Sequence, residues 1–251
     1  MRSLLFLFAA SLSVSAAWEV SETTQMGTLP MGATVFEAQV SERGLTARVT
    51  AILFPARSYN LRVVESPSPG STKLAGVLAA AGCVAGVNGG YFQPDFRPVG
   101  LVVADGRKIH GFEKAKLLAG VLAVRGTSLE ITRSSRFKIS GDVRQAIQCG
   151  PMLVENGSST VGLNAERPAR RTVVATDGHG RWALIYITSV TLADTALILM
   201  TPGVLRGWIP TTALNLDGGS SSGLWAASTP ATVSLPEFGH VRNYIGIAPR
   251  R

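Results

Sequence analysis

The sequence contains few residues of the kinds that build metal sites and disulfide scaffolds. Its 251 residues include two cysteines and three histidines, and no cysteine–histidine cluster has the spacing of a zinc site. Charged residues make up only 16% of the chain, and no apolar run reaches the roughly 20 residues of a membrane-spanning helix. These absences argue against a structural zinc protein and against stable insertion into a membrane. With 46% hydrophobic residues, the composition is instead typical of a folded globular protein.

The balance of charge favours anionic partners. The formal net charge is +8, and arginine supplies most of the cations. Such a charge attracts phosphorylated glycans or an anionic cell envelope. A basic run with interleaved aromatic residues, which is typical of nucleic-acid binding, is absent from the sequence, so we expect no nucleic-acid partner.

The first residues have the order of a secretory signal peptide. Arg2 supplies a positive charge, residues 4–10 form a short apolar run, and small residues follow at 15–17. We therefore predict that residues 1–17 are a signal peptide and that 18–251 form a single domain, periplasmic or secreted. In such an oxidising compartment Cys83 and Cys149 permit a disulfide, and two free thiols are the alternative.

Strand patterns dominate the chain, in keeping with its 27 glycines. Alternating residues predict strands between Thr34 and Glu65, followed by a short helix from Ser71 or Thr72 to Ala81 and by the strand CVAGVN. The second half repeats this order. It has a strand over 181–189, a helix that opens with a capping-box pattern at Thr191 and ends near Met200, and the strand TALNL.

Each of these strand–helix–strand units ends in a pair of glycines, at 88–90 (Asn-Gly-Gly) and at 217–219 (Asp-Gly-Gly). Both pairs follow the carboxyl end of a strand, where open sheets tend to bind ligands. We predict an α+β fold with a twisted mixed, largely antiparallel sheet and a few packed helices. The two units would be pseudo-repeats that bring both loops to one site.

Residues 213–224 read ALNLDGGSSSGL and allow three interpretations. GSSSG fits the G-x-S-x-G elbow of serine hydrolases with Ser221 as nucleophile, Asp217 and its glycines fit a carboxylate beside an anion-binding backbone, and a simple turn is the third. The elbow is disfavoured because Glu237 and His240, its available partners, lie three residues apart and do not easily come from different loops. The anion-binding interpretation is favoured.

The segment RPARRTVVATDGHGRW adds a candidate cation. Arg171 enters the strand TVVAT and is placed to bind a phosphate or carboxylate through two nitrogens. We expect Arg167 and Arg170 to be solvated, and Asp177 to serve the turn of a hairpin that ends at Arg181.

Five motifs, in order, resemble the phosphodiester glycosidase family: NGGYF, PVGLVVADGR, QCGPMLVENG, RRTVVATDGHG and ALNLDGGSSSG. This family includes the enzyme that uncovers mannose 6-phosphate by removing N-acetylglucosamine, together with many exported bacterial proteins. The resemblance covers about residues 34–247. It implies hydrolysis of a glycosyl phosphodiester, in which the sugar leaves a phosphate that stays on its other partner.

Carried onto matching positions, the resemblance implies a site for an anionic sugar-phosphate or glycan substrate. Its catalytic residues would be Asp217, Asn88 and Arg171, and its substrate-binding residues would be Gly89, Gly90, Tyr91, Gly218, Gly219 and Ser220. Asp217 would act as general base, nucleophile or orienting carboxylate, and these roles stay open. Phosphate is a good leaving group, which reduces the need for a second acid. The candidates for such an acid are Asp95, Asp105 and Asp177.

Several alternatives stay open at this stage. No cofactor is expected to be required, while a divalent cation is compatible with the sequence because carboxylates and loop carbonyls bind hard cations without a spacing signature. The chain has Asp-Gly-Gly-Ser where the family often has a third glycine, and Thr188-Ser189 where relatives of the uncovering enzyme often carry Asp-Gly. The sugar and its partner are therefore not fixed by the resemblance. A non-catalytic envelope protein that binds anionic glycans is the rival interpretation.

Overall fold

The computed structural model describes residues 17–66, 68 and 73–250, so residues 1–16 of the predicted signal peptide lie outside it. Within these ranges the chain forms eighteen strands and two α-helices, together with short 3-10 helices over Pro30–Gly32, Ala56–Ser58 and Gly219–Ser221. In chain order the strands and α-helices are β1 (Glu19–Thr28), β2 (Thr34–Glu42), β3 (Leu45–Pro55), β4 (Tyr59–Glu65), α1 (Leu74–Ala80), β5 (Ala85–Asn88), β6 (Val102–Ala104), β7 (Arg107–His110), β8 (Gly120–Arg125), β9 (Ser128–Arg133), β10 (Val143–Cys149), β11 (Met152–Glu155), β12 (Ser158–Ser159), β13 (Ala169–Thr176), β14 (Arg181–Val190), α2 (Leu192–Met200), β15 (Thr212–Asn215), β16 (Leu224–Ala226), β17 (Val233–Leu235) and β18 (Asn243–Pro249).

The strands of the described residues form three sheets. The eight-stranded sheet has the order β1-β2-β3-β14-β13-β15-β11-β12, and the two five-stranded sheets have the orders β7-β6-β10-β8-β9 and β17-β16-β5-β18-β4. Every pairing between these named strands is antiparallel. The expectation of a largely antiparallel α+β fold is confirmed in its broad form, with only two α-helices in the described residues, whereas the expectation of one mixed sheet is wrong.

The sheets of the described residues contain no parallel pair because another strand lies between the two strands of each strand–helix–strand unit. β18 lies between β4 and β5, and β13 lies between β14 and β15. The two parallel strands of each unit therefore never pair with each other. Both predicted units are present with the same arrangement, and their origin as a repeat stays a prediction.

The helix of the second strand–helix–strand unit, α2, begins as its sequence pattern predicts. The backbone N–H of Asp194 donates a 3.0 Å hydrogen bond to the Thr191 hydroxyl, and the Thr191 N–H donates a 3.3 Å bond to the Asp194 carboxylate. This reciprocal pair is a capping box, which satisfies two otherwise unpaired donors at the start of the helix. Neither helix in the described ranges has the length and apolar character that a membrane span requires.

The central strands of the eight-stranded sheet are buried on both faces. Leu184 of β14 belongs to an apolar cluster with Val87 of β5, while the next residue, Ile185, belongs to a second cluster with Leu199 of α2. This assignment follows from the alternation of side chains along a strand. The sheet that contains β5 therefore packs against one face, and α2 packs against the other.

The two cysteines do not form the disulfide that the sequence permits. Both thiols are free and buried, and they lie in different apolar clusters, Cys149 with Ile147 and Cys83 with Leu78. Burial raises the pKa of the Cys83 thiol to about 11. The motifs VNGG and QCGP do approach one site, but Cys83 lies at the opposite end of β5 from Asn88 and so faces a different cluster.

Candidate active site

The two glycine loops meet at the ends of β5 and β15. The side-chain amide of Asn88 donates a 2.7 Å hydrogen bond to the backbone oxygen of Asp217, and the Asp217 N–H donates a 3.0 Å bond to the backbone oxygen of Gly89. The loops are thus hydrogen-bonded to each other, although 129 residues separate Asn88 from Asp217.

Asn88 holds these loops together from inside the protein. Its Oδ1 accepts hydrogen bonds from the Thr172 hydroxyl at 2.6 Å and from the Gly223 N–H at 3.1 Å, and the whole residue is buried. With both ends of its amide in use and no exposed surface, Asn88 positions the two loops, and the catalytic role expected from the sequence stays a prediction.

Gly89 and Gly90 also support the site from beneath. Their N–H groups donate 2.8 Å hydrogen bonds to the backbone oxygen and to Oδ1 of Asn243, respectively. A Cβ on Gly89 would lie 2.0 Å from Asn243 Oδ1, so close packing explains why the position is glycine. These two N–H groups are therefore occupied within the protein, and the expected role of Gly89 and Gly90 in substrate binding stays a prediction.

Asp217 presents the carboxylate of the site and is partly exposed. Burial raises the pKa of its carboxyl from the usual 3.8 to about 6. Hydrogen bonds from the Ser221 hydroxyl and from the Gly218 N–H, the latter at 2.9 Å, favour the charged form and oppose that rise. The group is thus ionised at neutral pH and exchanges its proton close to pH 6.

The backbone that follows Asp217 offers donors to an anion. No acceptor within the described residues binds the N–H groups of Gly219 and Ser220, which open the short 3-10 helix. Gly219 has a φ of +64°, which favours glycine, and no atom lies within 4 Å of the place of a Cβ there. Adjacent N–H groups without an acceptor are the donors from which anion-binding loops are built.

The guanidinium of Arg171 lies beside Gly218 of this loop and is held by backbone oxygens. Its Nε donates a 2.9 Å hydrogen bond to the oxygen of Val190, and Nη2 donates a 2.6 Å bond to the oxygen of Arg167. The Nη1 atom lies 3.9 Å from the place of a Cβ on Gly218. Burial lowers the pKa of this group from its usual value, yet an arginine remains charged at neutral pH.

Tyr91 forms an inner wall of the site. Its hydroxyl donates a 2.5 Å hydrogen bond to the Gly150 oxygen and accepts a 3.1 Å bond from the Asn215 amide. Burial raises the pKa of this phenol well above 10, with further contributions from Cys149 and Asp217. Burial likewise raises the pKa of the Cys149 thiol to about 12, so both groups are neutral at physiological pH.

The alternative acids and the serine elbow are not assembled at this site. Asp95, Asp105 and Asp177 each form an ion pair with an arginine of their own surroundings, at 2.6, 3.0 and 2.5 Å. Asp177 also accepts bonds from the backbone of its hairpin turn, as predicted. Ser221 bonds to the Asp217 carboxylate, and among the described contacts no histidine reaches it.

Comparison with known proteins decides the family. The model of the phosphodiester glycosidase family matches residues 81–248, which is more than half of the chain. The chain belongs to the phosphodiester glycosidase family. The resemblance expected from the five motifs is thereby confirmed, and membership supports a hydrolase that acts on a sugar–phosphodiester linkage.

Solved structures share the fold of this chain. The catalytic domain of zebrafish N-acetylglucosamine-1-phosphodiester alpha-N-acetylglucosaminidase, auto-inhibited by its pro-peptide, aligns over 91% of this chain and 88% of its own with a TM-score of 0.63 and 17% identity. A hypothetical protein from Synechocystis aligns over 87% of this chain and 62% of its own, with a TM-score of 0.61 and 16% identity. At these identities the likeness concerns the fold.

A sequence relative is the uncharacterized protein YigE of Escherichia coli (strain K12). It is 30% identical over 103 residues, which are 38% of this chain and 41% of that protein. The chain thus matches less than half of this curated relative's length and somewhat under two thirds of the Synechocystis protein's.

A large cavity lies away from this site. It has a volume of about 980 Å³ and is lined by residues that include Phe112, Lys114, Lys116, Arg133 and Phe137, but by none of the predicted site residues. We place the site at Asp217 because the family's motifs, the free N–H groups and the shifted carboxyl coincide there. Over residues 17–66, 68 and 73–250, no three His, Cys, Asp or Glu side chains are grouped as a metal site requires.

Sequence reasoning missed the residues that support the site. They are three buried polar residues. Asn243 accepts a hydrogen bond from the Gly90 N–H, and the Thr172 hydroxyl bonds to Asn88 Oδ1 and to the Ser222 hydroxyl. Asn243 stands at the start of an apolar strand, and Thr172 stands within one. A polar residue within an otherwise apolar strand could have indicated these positions in the sequence, because a buried polar group requires a hydrogen-bond partner.

Proposed function

We propose that this protein is an exported phosphodiester glycosidase that cleaves a glycosyl phosphodiester into free sugar and a phosphomonoester. The observation that carries this proposal is the juxtaposition of Asp217 with the free N–H groups of Gly219 and Ser220 and with the Arg171 guanidinium. Three donors for an anion thus lie on or beside the loop that carries a carboxylate ionised at neutral pH. A substrate that has a phosphate beside a sugar carbon fits this combination.

The chemistry divides between these groups. In hydrolysis, the bond between the sugar's anomeric carbon and the phosphate oxygen breaks, and water supplies OH to the sugar. The N–H groups and Arg171 would bind the phosphate and stabilise the charge that develops on it. Asp217 would take the proton of water, attack the sugar carbon itself, or orient and stabilise the cationic sugar.

The leaving group explains the shortage of acids. A phosphate leaves as an anion already stabilised by its own oxygens and by the donors around it. An enzyme acting on this linkage does not need the protonated carboxyl that ordinary glycosidases supply. Asp95, Asp105 and Asp177, each paired with an arginine, are accordingly not part of the proposed chemistry.

The remaining parts of the proposal rest on the sequence. The order of charge, apolar run and small residues at the start supports export to the periplasm or beyond the cell. The net charge of +8 supports an anionic sugar-phosphate or glycan substrate. We propose no cofactor requirement, no nucleic-acid partner and no stable membrane insertion.

One observation favours a second candidate function. The site has anion donors and a single unpaired carboxyl, which also suits an envelope protein that binds anionic glycans without cleaving them. Turnover separates the two candidates.

The deciding experiment incubates the mature protein with a panel of glycosyl phosphodiesters that differ in sugar and in aglycone. The products are analysed for free sugar and phosphomonoester. Release of both products by the wild type, and not by Asp217→Asn, supports hydrolysis at this site. Retention of the substrates on the protein without product would support the binding function, and cleavage by folded Asp217→Asn would reject the site.

A further inference from the structure

An exposed aromatic ring stands at the edge of the site. Phe238 has 75% of its surface exposed, although most large apolar residues of this chain are buried. The N–H groups of Phe238 and of Gly239 donate hydrogen bonds of 2.9 and 3.0 Å to the oxygen of Ser220. The ring is therefore attached to the same loop that carries the free N–H groups of the proposed anion site.

A cation lies against this ring. The guanidinium carbon of Arg170 is 4.0 Å from the centre of the Phe238 ring, within the range of a cation–π contact. The backbone oxygen of Arg170 lies 3.0 Å from the place of a Cβ on Gly218, so the residue borders the Asp217 loop directly. In the described part of the chain, no acceptor or carboxylate binds the Arg170 side chain, so its donors are open.

We propose that Arg170 and Phe238 form a subsite for the phosphate-bearing half of the substrate, with a ring-shaped group next to the phosphate. This inference rests on the proposed function, which it extends by a class of leaving group. Only that half is negatively charged, and Arg170 supplies an unpaired cation. The open face of Phe238 fits the flat face of an aromatic ring or the C–H face of a sugar.

Geometry favours this role over that of a solvated surface pair. An exposed phenylalanine gains nothing from water, and a stacked arginine limits its motion and leaves one face open. Two backbone hydrogen bonds hold it beside Ser220. The pair thus meets the requirements of a preformed subsite, namely a fixed apolar face and an adjacent charge.

The test measures equilibrium binding and so does not depend on turnover. Two probes are titrated into the protein by calorimetry: phenyl phosphate, which has both a ring and an anion, and inorganic phosphate, which has only the anion. The variants are Phe238→Ala, Phe238→Tyr and Arg170→Gln. Matched controls are Leu45→Ala, another exposed apolar side chain at 61%, and Arg206→Gln, whose guanidinium stacks on Phe36 at 5.2 Å.

We expect the wild type to bind phenyl phosphate more tightly than inorganic phosphate. Phe238→Ala should weaken phenyl phosphate by about three- to tenfold and leave inorganic phosphate within about twofold, while Phe238→Tyr keeps the preference. Arg170→Gln should weaken both probes by about threefold or more. The control variants should match the wild type.

The inference is overturned if the wild type does not prefer phenyl phosphate, if it binds neither probe, or if Phe238→Ala leaves that preference intact. It is also overturned if Arg170→Gln binds both probes as the wild type does. A protein that shows the preference but cleaves no glycosyl phosphodiester keeps the subsite and loses the proposed hydrolysis. A protein that cleaves such substrates without the preference keeps the hydrolysis and loses the subsite.

Discussion

The Asn88 side-chain amide donates a 2.7 Å hydrogen bond to the backbone oxygen of Asp217 and not to its carboxylate. It therefore fixes the position of the backbone from which the Asp217 side chain extends. Replacing Asn88 by Ala would leave the Gly223 N–H, the Thr172 hydroxyl and the Asp217 oxygen without this partner.

We predict that Asn88→Ala lowers the free energy of unfolding by about 1–3 kcal/mol, because buried polar groups lose their partners. Chemical denaturation measures this loss, and Asn60→Ala, at an exposed asparagine, is the control. Equal stability of the two variants would contradict the positioning role.

Asp217→Asn should abolish hydrolysis, whereas Ser221→Ala should retain most of it. Asn keeps the shape of the side chain but removes the charge, and a loss of about 100-fold or more in kcat is expected for a base or nucleophile. Ser221→Ala removes a hydrogen bond that favours the ionised form of Asp217, so the pKa of that carboxyl should rise. The rate of this variant should therefore begin to fall at a higher pH than that of the wild type as the solution is acidified. Rates across pH 4–9 measure both effects. A folded Ser221→Ala variant that is inactive at every pH would support the interpretation in which Ser221 is the nucleophile.

The pKa of Asp217 also predicts how stability depends on pH. Because the folded state raises this pKa from 3.8 to about 6, it binds the proton more tightly than the unfolded chain does. Relative to Asp217→Asn, the wild type should therefore lose stability as pH rises from about 4 to about 6, by at most about 3 kcal/mol, and then level off. Denaturation of both proteins at matched pH values measures the difference in their free energies of unfolding. The contributions of the other carboxyls are the same in both proteins and cancel in this difference. A constant difference from pH 4 to 8 would show that burial does not shift this group.

Gly89→Ala should destabilise the protein far more than Gly111→Ala. A Cβ at 89 meets Asn243 Oδ1 at 2.0 Å and its backbone oxygen at 2.9 Å, whereas a Cβ at 111 meets no atom within 4 Å. We expect overpacking to cost about 1–3 kcal/mol or more at 89 and little at 111. Thermal unfolding compares the two variants, and similar midpoints would disprove the close approach of β18 to the loop.

Arg171→Lys should weaken the binding of phosphate-containing substrates. Lysine cannot bond both the Val190 and Arg167 oxygens while it also presents a charge beside Gly218. KM is expected to rise about tenfold, with a smaller change in kcat. Steady-state kinetics measures this against Arg136→Lys, an exposed surface control. An unchanged KM would remove Arg171 from the site.

Local features of this protein were predictable from the sequence, and long-range pairings were not. The capping box at Thr191 and the turn at Asp177 involve atoms a few residues apart, so short patterns are sufficient. The occupation of the Gly90 N–H by Asn243 depends on a residue 153 positions away. The same holds for the insertion of β18 between β4 and β5, which no alternation within one segment can show. The sequence therefore indicated that the two glycine loops meet, but it could not show which of their N–H groups are occupied within the protein.

The position of β18 has a consequence for how the protein is made. A ribosome releases β4 and β5 long before β18 and Asn243, so the nascent chain carries two unpaired strand edges and an unsupported Asn88 loop during most of its synthesis. Such edges pair readily with other chains. The Asn88 loop can be held in place only after the last described strand has been synthesised, so a premature stop codon before Asn243 would remove the support of the proposed site and not merely shorten the chain.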